Sequence, residues 1–144
     1  MAVGTTAVPK PARTNKAKDT RRLVIRKASL TSRKTAELIA NFASEKKALD
    51  IIILDMRKVV NFCDYFVICS GNTSRQVHAI AEYIDYEFNK LGRPLRFKQG
   101  FKASEWVVFD AGDVVVHVFQ KDVRAFYGLE YLWQGAKEVK VDLI

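Results

Sequence analysis

The chain has 144 residues, 49% of them apolar, and its 24 Lys and Arg against 16 Asp and Glu give a net charge of +8. That length suits one domain, and the apolar content supports a core, which excludes a disordered polyelectrolyte. No run reaches the ~18 uncharged apolar residues of a membrane span, so a membrane protein is not expected, and a strongly basic chain points toward nucleic acid, ribosomes or anionic lipid.

The charge is unevenly placed. Residues 1–30 hold eight bases against Asp19 alone, a net of +7, which leaves residues 31–144 at +1. The arm is poor in large apolar residues and carries Pro9 and Pro11. It cannot offset its ordering entropy by burial, so it is expected to be disordered when free. Three roles suit it: contact with RNA phosphates through residues such as Arg21, Arg22, Arg26 and Lys27, an organelle transit peptide, or a solvated tail. It has no apolar h-region and is not read as a secretory signal.

The domain, residues 31–144, opens with a helix over about Ser32 to Lys46, with Leu38, Ile39 and Phe42 as its apolar stripe. Asp50 to Asp55 reads as a buried strand, and after roughly nine residues Tyr65 to Ser70 reads as a second. Gly71-Asn72 breaks that strand. Thr73-Ser74-Arg75-Gln76 is a T-x-x-Q capping box, and Val77, Ile80, Ala81, Ile84, Phe88 and Leu91 then recur with helical period until Gly92 and Pro94. A short strand, Leu95 to Gln99, follows. If it pairs parallel to the second strand, the helix between them is a βαβ crossover.

Trp106 to Asp110 and Asp113 to Phe119 flank Ala111-Gly112 and read as an antiparallel hairpin. Asp122 is expected to cap a last helix bearing Val123, Phe126, Leu129 and Trp133, ended by Gly135. Val139, Val141 and Leu143 alternate with polar residues, so the C-terminus either adds an edge strand or stays loose. The expected fold is a single α/β domain, a mixed sheet of about five strands packed with helices.

Signals for catalysis are weak. The turn Ser70 to Arg75 could hold an anion at a helix N-terminus, and Asp110 with Asp113 could hold Mg²⁺, so Gly71, Ser74, Asp110 and Asp113 sketch a nucleotide-binding or nucleotidyltransferase-like site. No phosphate-loop or dinucleotide fingerprint accompanies them, and capping and turn chemistry explain the same residues. Cys63, Cys69, His78 and His117 have no metal-ligand spacing, and two cysteines six apart fit a reduced, intracellular chain. His117 is expected to be a hydrogen-bonded sheet residue or an interface residue. The aromatics Trp106, Phe109, Phe126, Tyr127, Tyr131 and Trp133 crowd the last third, where they serve as core or as an anchor patch for a protein partner.

Three stretches carry a resemblance. They are Asp64 to Val77 (DYFVICSGNTSRQV), Trp106 to Asp110 with Gly112 to Phe119 (WVVFD, GDVVVHVF), and Arg124 to Tyr127 with Leu129, Glu130, Leu132 and Trp133. Over about residues 32 to 136 the chain resembles the ribosomal silencing factor, or Iojap, family. The resemblance implies a fold similar to nucleotidyltransferases without enzymatic activity, and no cofactor. It implies binding to the large ribosomal subunit through ribosomal protein L-fourteen, which blocks joining of the small subunit and represses translation when nutrients are scarce. It further implies a homodimer when free and a cytoplasmic location, or a mitochondrion or plastid if the arm is an import signal. The family's contact strand and hairpin fall here on Trp106, Val108, Asp110, Ala111 and Asp113, with Tyr65 and Arg75 as weaker matches. Ala111 stands where the family often has a larger apolar residue, and Gly128 stands where Asp is common, which is expected to loosen the last helix.

Overall fold

The computed structural model describes residues 30–140 and Leu143. The arm, with Arg21, Arg22, Arg26 and Lys27, and the alternating residue Val141 lie outside the described residues.

Helix α1, Ser32–Glu45, starts where Thr31 Oγ1 accepts from the Lys34 N–H at 3.1 Å, a cap the apolar stripe alone did not reveal. It buries Ala36, Ile39, Ala40, Phe42 and Ala43, so the small alanines let the helix lie close to the sheet, while Leu38 is half-buried. Strand β1, Leu49–Asp55, buries Ile53 and Leu54 and leaves its start exposed, where a register shift falls between Leu49 and Ile52 and Asp50 takes φ +47°. Strand β2, Tyr65–Gly71, is buried along its whole length. That is the burial expected of a central strand covered on both faces.

Helix α2, Ser74–Lys90, confirms the capping box with one change of partner. Thr73 Oγ1 accepts from the Gln76 N–H at 3.1 Å, and Gln76 Oε1 accepts from the N–H of Asn72, at 2.7 Å, rather than from Thr73. Replacing Thr73 by Ala orphans a helix N–H and should lower unfolding free energy by about 1 kcal/mol, read as a lower urea midpoint at unchanged slope.

Strands β3 (Arg96–Gln99), β4 (Trp106–Ala111), β5 (Val114–Gln120) and β6 (Lys137–Val139) complete a six-stranded sheet in the order β3-β4-β5-β2-β1-β6. Strand β6 is the extra one, a three-residue edge pairing antiparallel with β1. Strands β2 and β5 run parallel over seven residue pairs, and the other pairings are antiparallel. The sheet is therefore mixed, as expected, but β3 does not adjoin β2. The β4–β5 hairpin stands between them, because β5 offers β2 a seven-residue, mostly apolar partner and β3 has four exposed residues to offer. The hairpin turn is Gly112-Asp113, with Gly112 at φ +67°, a conformation glycine adopts without steric cost.

The last helix is broken in two. Helix α3, Lys121–Tyr127, ends at Gly128, which takes φ +55°, ψ +45° and donates its N–H to the Arg124 carbonyl at 2.9 Å. Helix α4, Leu129–Leu132, begins at the same glycine. Gly128 is therefore a left-handed helix stop, where glycine is favoured, and not a weak point within a helix. Asp122 is not the cap either. Gln120 occupies that position, and Asp122 lies in the first turn, where its charge suits the helix dipole.

Alternation along the strands divides the interior. Tyr65, Val67, Cys69, Val107, Phe109, Ala111, Val114, Val116 and Val118 face α1 and α2 and meet Ile39, Phe42, Ile80, Ile84 and Phe88. The other face carries Leu54, Phe66, Ile68 and Phe119 in a smaller cluster.

Candidate functional site

Two modest covers protect that second face. The β1–β2 connection supplies Met56, Val59, Val60 and Cys63, and the segment from α3 onward supplies Val123, Leu129, Trp133 and Ala136. They leave Trp106, Val108, Asp110 and Val115 half-buried on the β4–β5 hairpin. The pattern along β4 is strictly alternating, so Trp106, Val108 and Asp110 share the open face while Val107, Phe109 and Ala111 are buried under the helices.

Trp106 is the best-fixed side chain on this face. Its ring stacks on Phe119 at 4.9 Å with 26° between the planes, lies 4.9 Å from Tyr127, and donates its Nε1–H to His117 Nδ1 at 3.1 Å. Held on several sides yet still partly exposed, the indole keeps little rotamer freedom. His117 thus proves to be the hydrogen-bonded sheet residue. Accepting at Nδ1 places its own proton on Nε2, which is buried, as is Nε1 of Trp133, and neither finds a polar partner among the described residues. Both rings meet Phe66 at steep angles, with centroids 4.8 Å and 6.0 Å away, an arrangement suited to weak N–H···π contacts.

Burial pushes the His117 imidazole down to about 4 from its ordinary 6.5. The unfolded chain takes up that proton at higher pH than the folded one, so stability is lost as pH falls from 6.5 towards 4. The loss should reach about 3 kcal/mol in urea titrations, and His117→Asn, which offers an amide oxygen near the Nδ1 position, should flatten the profile.

The hairpin end is acidic. Asp113 is exposed at the turn, and its backbone carbonyl accepts from the Asp64 N–H at 2.7 Å, which ties the turn to the start of β2. Desolvation raises Asp110. Burial pushes the Cys63 thiol up to about 11, with Asp64, Asp110 and Asp113 adding to the effect, so three carboxylates gather beside it. Burial pushes Cys69 up to about 12, and both cysteines are free.

The other sequence candidates divide. Ala111 is 5% exposed and belongs to the helix-side core, so its side chain is not on the open face. Tyr65 is 2% exposed, with the Arg57 guanidinium over its ring at 5.4 Å, and serves the fold. Arg75 is exposed in the first turn of α2, at the other end of the sheet from Asp113. Sequence reasoning missed Val115, although the alternation through Val114, Val115 and Val116 places it with His117.

The sketched nucleotide site does not assemble. Gly71 pairs with Gln120 at one end of the β2–β5 ladder, whereas Tyr65 and Val114, beside Asp113, pair at the other. Six residues of strand, roughly 20 Å at ~3.3 Å each, separate Gly71 and Ser74 from the hairpin acids. Two of the turn's donors are also engaged, since Gln76 and Thr73 hold the N–H groups of Asn72 and Gln76, and the Asn72 carbonyl accepts from Gln120 Nε2 at 3.2 Å. Arg124 donates to Ser70 Oγ and to the Asp50 carbonyl, both at 2.8 Å, at that same end. Among the described residues no group of three His, Cys, Asp or Glu side chains could hold a metal ion, and no helix is long and apolar enough to cross a membrane.

Known proteins match both the sequence and this architecture. A protein named ribosomal silencing factor RsfS from Bacillus subtilis is 42% identical over 106 residues, covering 74% of this chain and 90% of its own. A crystal structure from Bacillus halodurans superposes with a TM-score of 0.68 at 38% identity, over 76% of this chain and 99% of that one. A mouse protein named mitochondrial assembly of ribosomal large subunit protein 1 is 29% identical over 100 residues, which span 67% of this chain and 44% of the mouse protein. The family model described as ribosomal silencing factor during starvation matches residues 29–144, and the chain belongs to that family.

Proposed function

We propose that the chain represses translation by docking on the large ribosomal subunit at ribosomal protein L-fourteen and blocking small-subunit joining by steric occlusion. The observation that carries this reading is the open β4–β5 face, where a fixed, half-exposed Trp106 lies beside Val108, Val115 and the hairpin acids. An aromatic anchor ringed by charge is the arrangement that dominates many protein interfaces, and Asp110 and Asp113 suit basic side chains on a partner. Family membership and a relative named for the large subunit point the same way. Occlusion needs no cofactor and no chemistry, so the chain acts as a binding protein and not an enzyme. It acts where its ribosomes are, in the cytoplasm, or in an organelle if the basic arm is an address. The same open face is free to pair two copies in a homodimer when no ribosome is bound.

Purified protein should co-sediment with isolated large subunits and lower the yield of joined ribosomes when small subunits are added. Unchanged joining at saturating protein would sink the reading.

A further inference from the structure

We propose that the β3 edge of the sheet is an RNA-contacting surface, with Phe97 as a stacking platform and Arg96 and Lys102 as phosphate contacts; the inference rests on the large-subunit reading above. The domain is near neutral as a whole but not locally. Residues 88–104 carry Lys90, Arg93, Arg96, Lys98 and Lys102 and no acid, a run of +5 in a domain of net +1. All four residues of β3 are exposed, and the strand lies at the sheet's edge with its outer side unpaired among the described residues. Lys98 is partly engaged, 3.3 Å from Asp85, whereas Arg96 and Lys102 pair with no carboxylate among the described residues.

Phe97 sets this edge apart. Its ring is 72% exposed, and its backbone takes φ +53°, in the left-handed region that bulky side chains rarely adopt. It falls within the register shift between Arg96 and Gln99, so the ladder to β4 is interrupted where the aromatic stands. Basic residues on an edge strand also deter pairing with other strands. That role does not call for an exposed phenylalanine in a strained conformation. Cations flanking an exposed aromatic ring suit single-stranded RNA, because every base has a face to stack and every linkage a phosphate to neutralise.

The position fits the partner. Strand β3 pairs with β4, Arg96 opposite Asp110 and Gln99 opposite Val108. A ribonucleoprotein whose protein component docks on Trp106, Val108 and Asp110 brings its neighbouring RNA to the adjoining edge, one strand spacing of about 4.8 Å away.

The test uses the full-length chain and two purified partners, large ribosomal subunits and protein L-fourteen alone. On subunits at 0.1 M KCl, R96Q/K102Q should bind about tenfold more weakly or worse, and the slope of log affinity against log salt should fall by about 1.5, as expected for two lost phosphate contacts. F97G, which removes the ring and relieves the backbone, should weaken subunit binding about fivefold or more at unchanged slope. All these variants should bind L-fourteen alone like wild type and melt no lower than wild type. Wild-type affinity and slope on subunits would overturn the proposal. An equal loss on L-fourteen alone would also overturn it, because the edge would then face protein. Trp106→Glu separates the two readings. If it binds both partners like wild type, the docking face is wrong, while the R96Q/K102Q comparison on subunits still decides the RNA contact.

Discussion

Trp106→Glu should reduce affinity for large ribosomal subunits by at least about thirtyfold, the loss typical of a central aromatic hot spot. The substitution removes a ring packed on Phe119 and Tyr127 and puts a third carboxylate on a face that already holds Asp110 and Asp113. Charge alone would then repel an acidic partner and attract a basic one, so the side chain's shape and its sign must be separated. Trp106→Phe does this. It keeps most of the stacked area, loses the Nε1–H bond to His117, and should weaken binding by far less than Glu. Because Trp106 is half-buried, truncation also costs stability, and each variant's urea midpoint has to be measured beside its affinity. A Trp106→Glu protein that is folded and binds subunits like wild type would remove Trp106 from the docking face. One that is unfolded would leave the indole as a core residue, and Trp106→Phe would then carry the test.

Part of this site is legible in the sequence, because the family resemblance falls on Trp106, Val108 and Asp110, alternate residues of a strand with one covered and one open face. Polarity does not alternate along WVVFDA, where five of six residues are apolar, so the period of two shows in burial alone. The same period places Ala111 with Val107 and Phe109, under the helices. The resemblance adds Ala111 to the contact set by matched position, and a matched position does not say which face a side chain takes. Tyr65, a weaker match in the second motif, lies in a strand that the sequence already reads as buried.

Topology was less legible. Nothing local to Leu95–Gln99 indicates that two strands will stand between it and β2, since strand order depends on which partners bury the most surface. Gly128 misled because glycine lowers helix propensity in an interior and favours a left-handed stop at an end, and sequence alone did not say which position it holds. Charge showed a similar limit. A near-zero total for residues 31–144 concealed a basic edge on β3, because a sum carries no position.

Gly100→Ala should be the most damaging single-methyl change near the site, lowering unfolding free energy by about 3–5 kcal/mol. Gly100 lies between β3 and β4 at φ +85°, and a Cβ there would stand 2.1 Å from the Trp106 carbonyl oxygen and 3.1 Å from its carbon. Both atoms are backbone, so no side-chain rotation relieves the clash. The carbonyl of Gly100 also accepts from the Ser104 N–H at 2.8 Å, so the turn cannot swing away without losing that bond. The start of β4 must move, and Trp106 moves with it. Gly112→Ala is the matched control. It has a similar φ of +67° but nothing within 4 Å of the added carbon, so it bears the left-handed backbone cost alone, about 1–2 kcal/mol. Urea unfolding of the pair separates conformational strain from close approach. Equal losses would show that the contact with Trp106 is not what requires glycine at position 100. A larger loss for Gly100→Ala, with weaker subunit binding by the fraction that stays folded, would tie the β3–β4 turn to the placement of the docking indole.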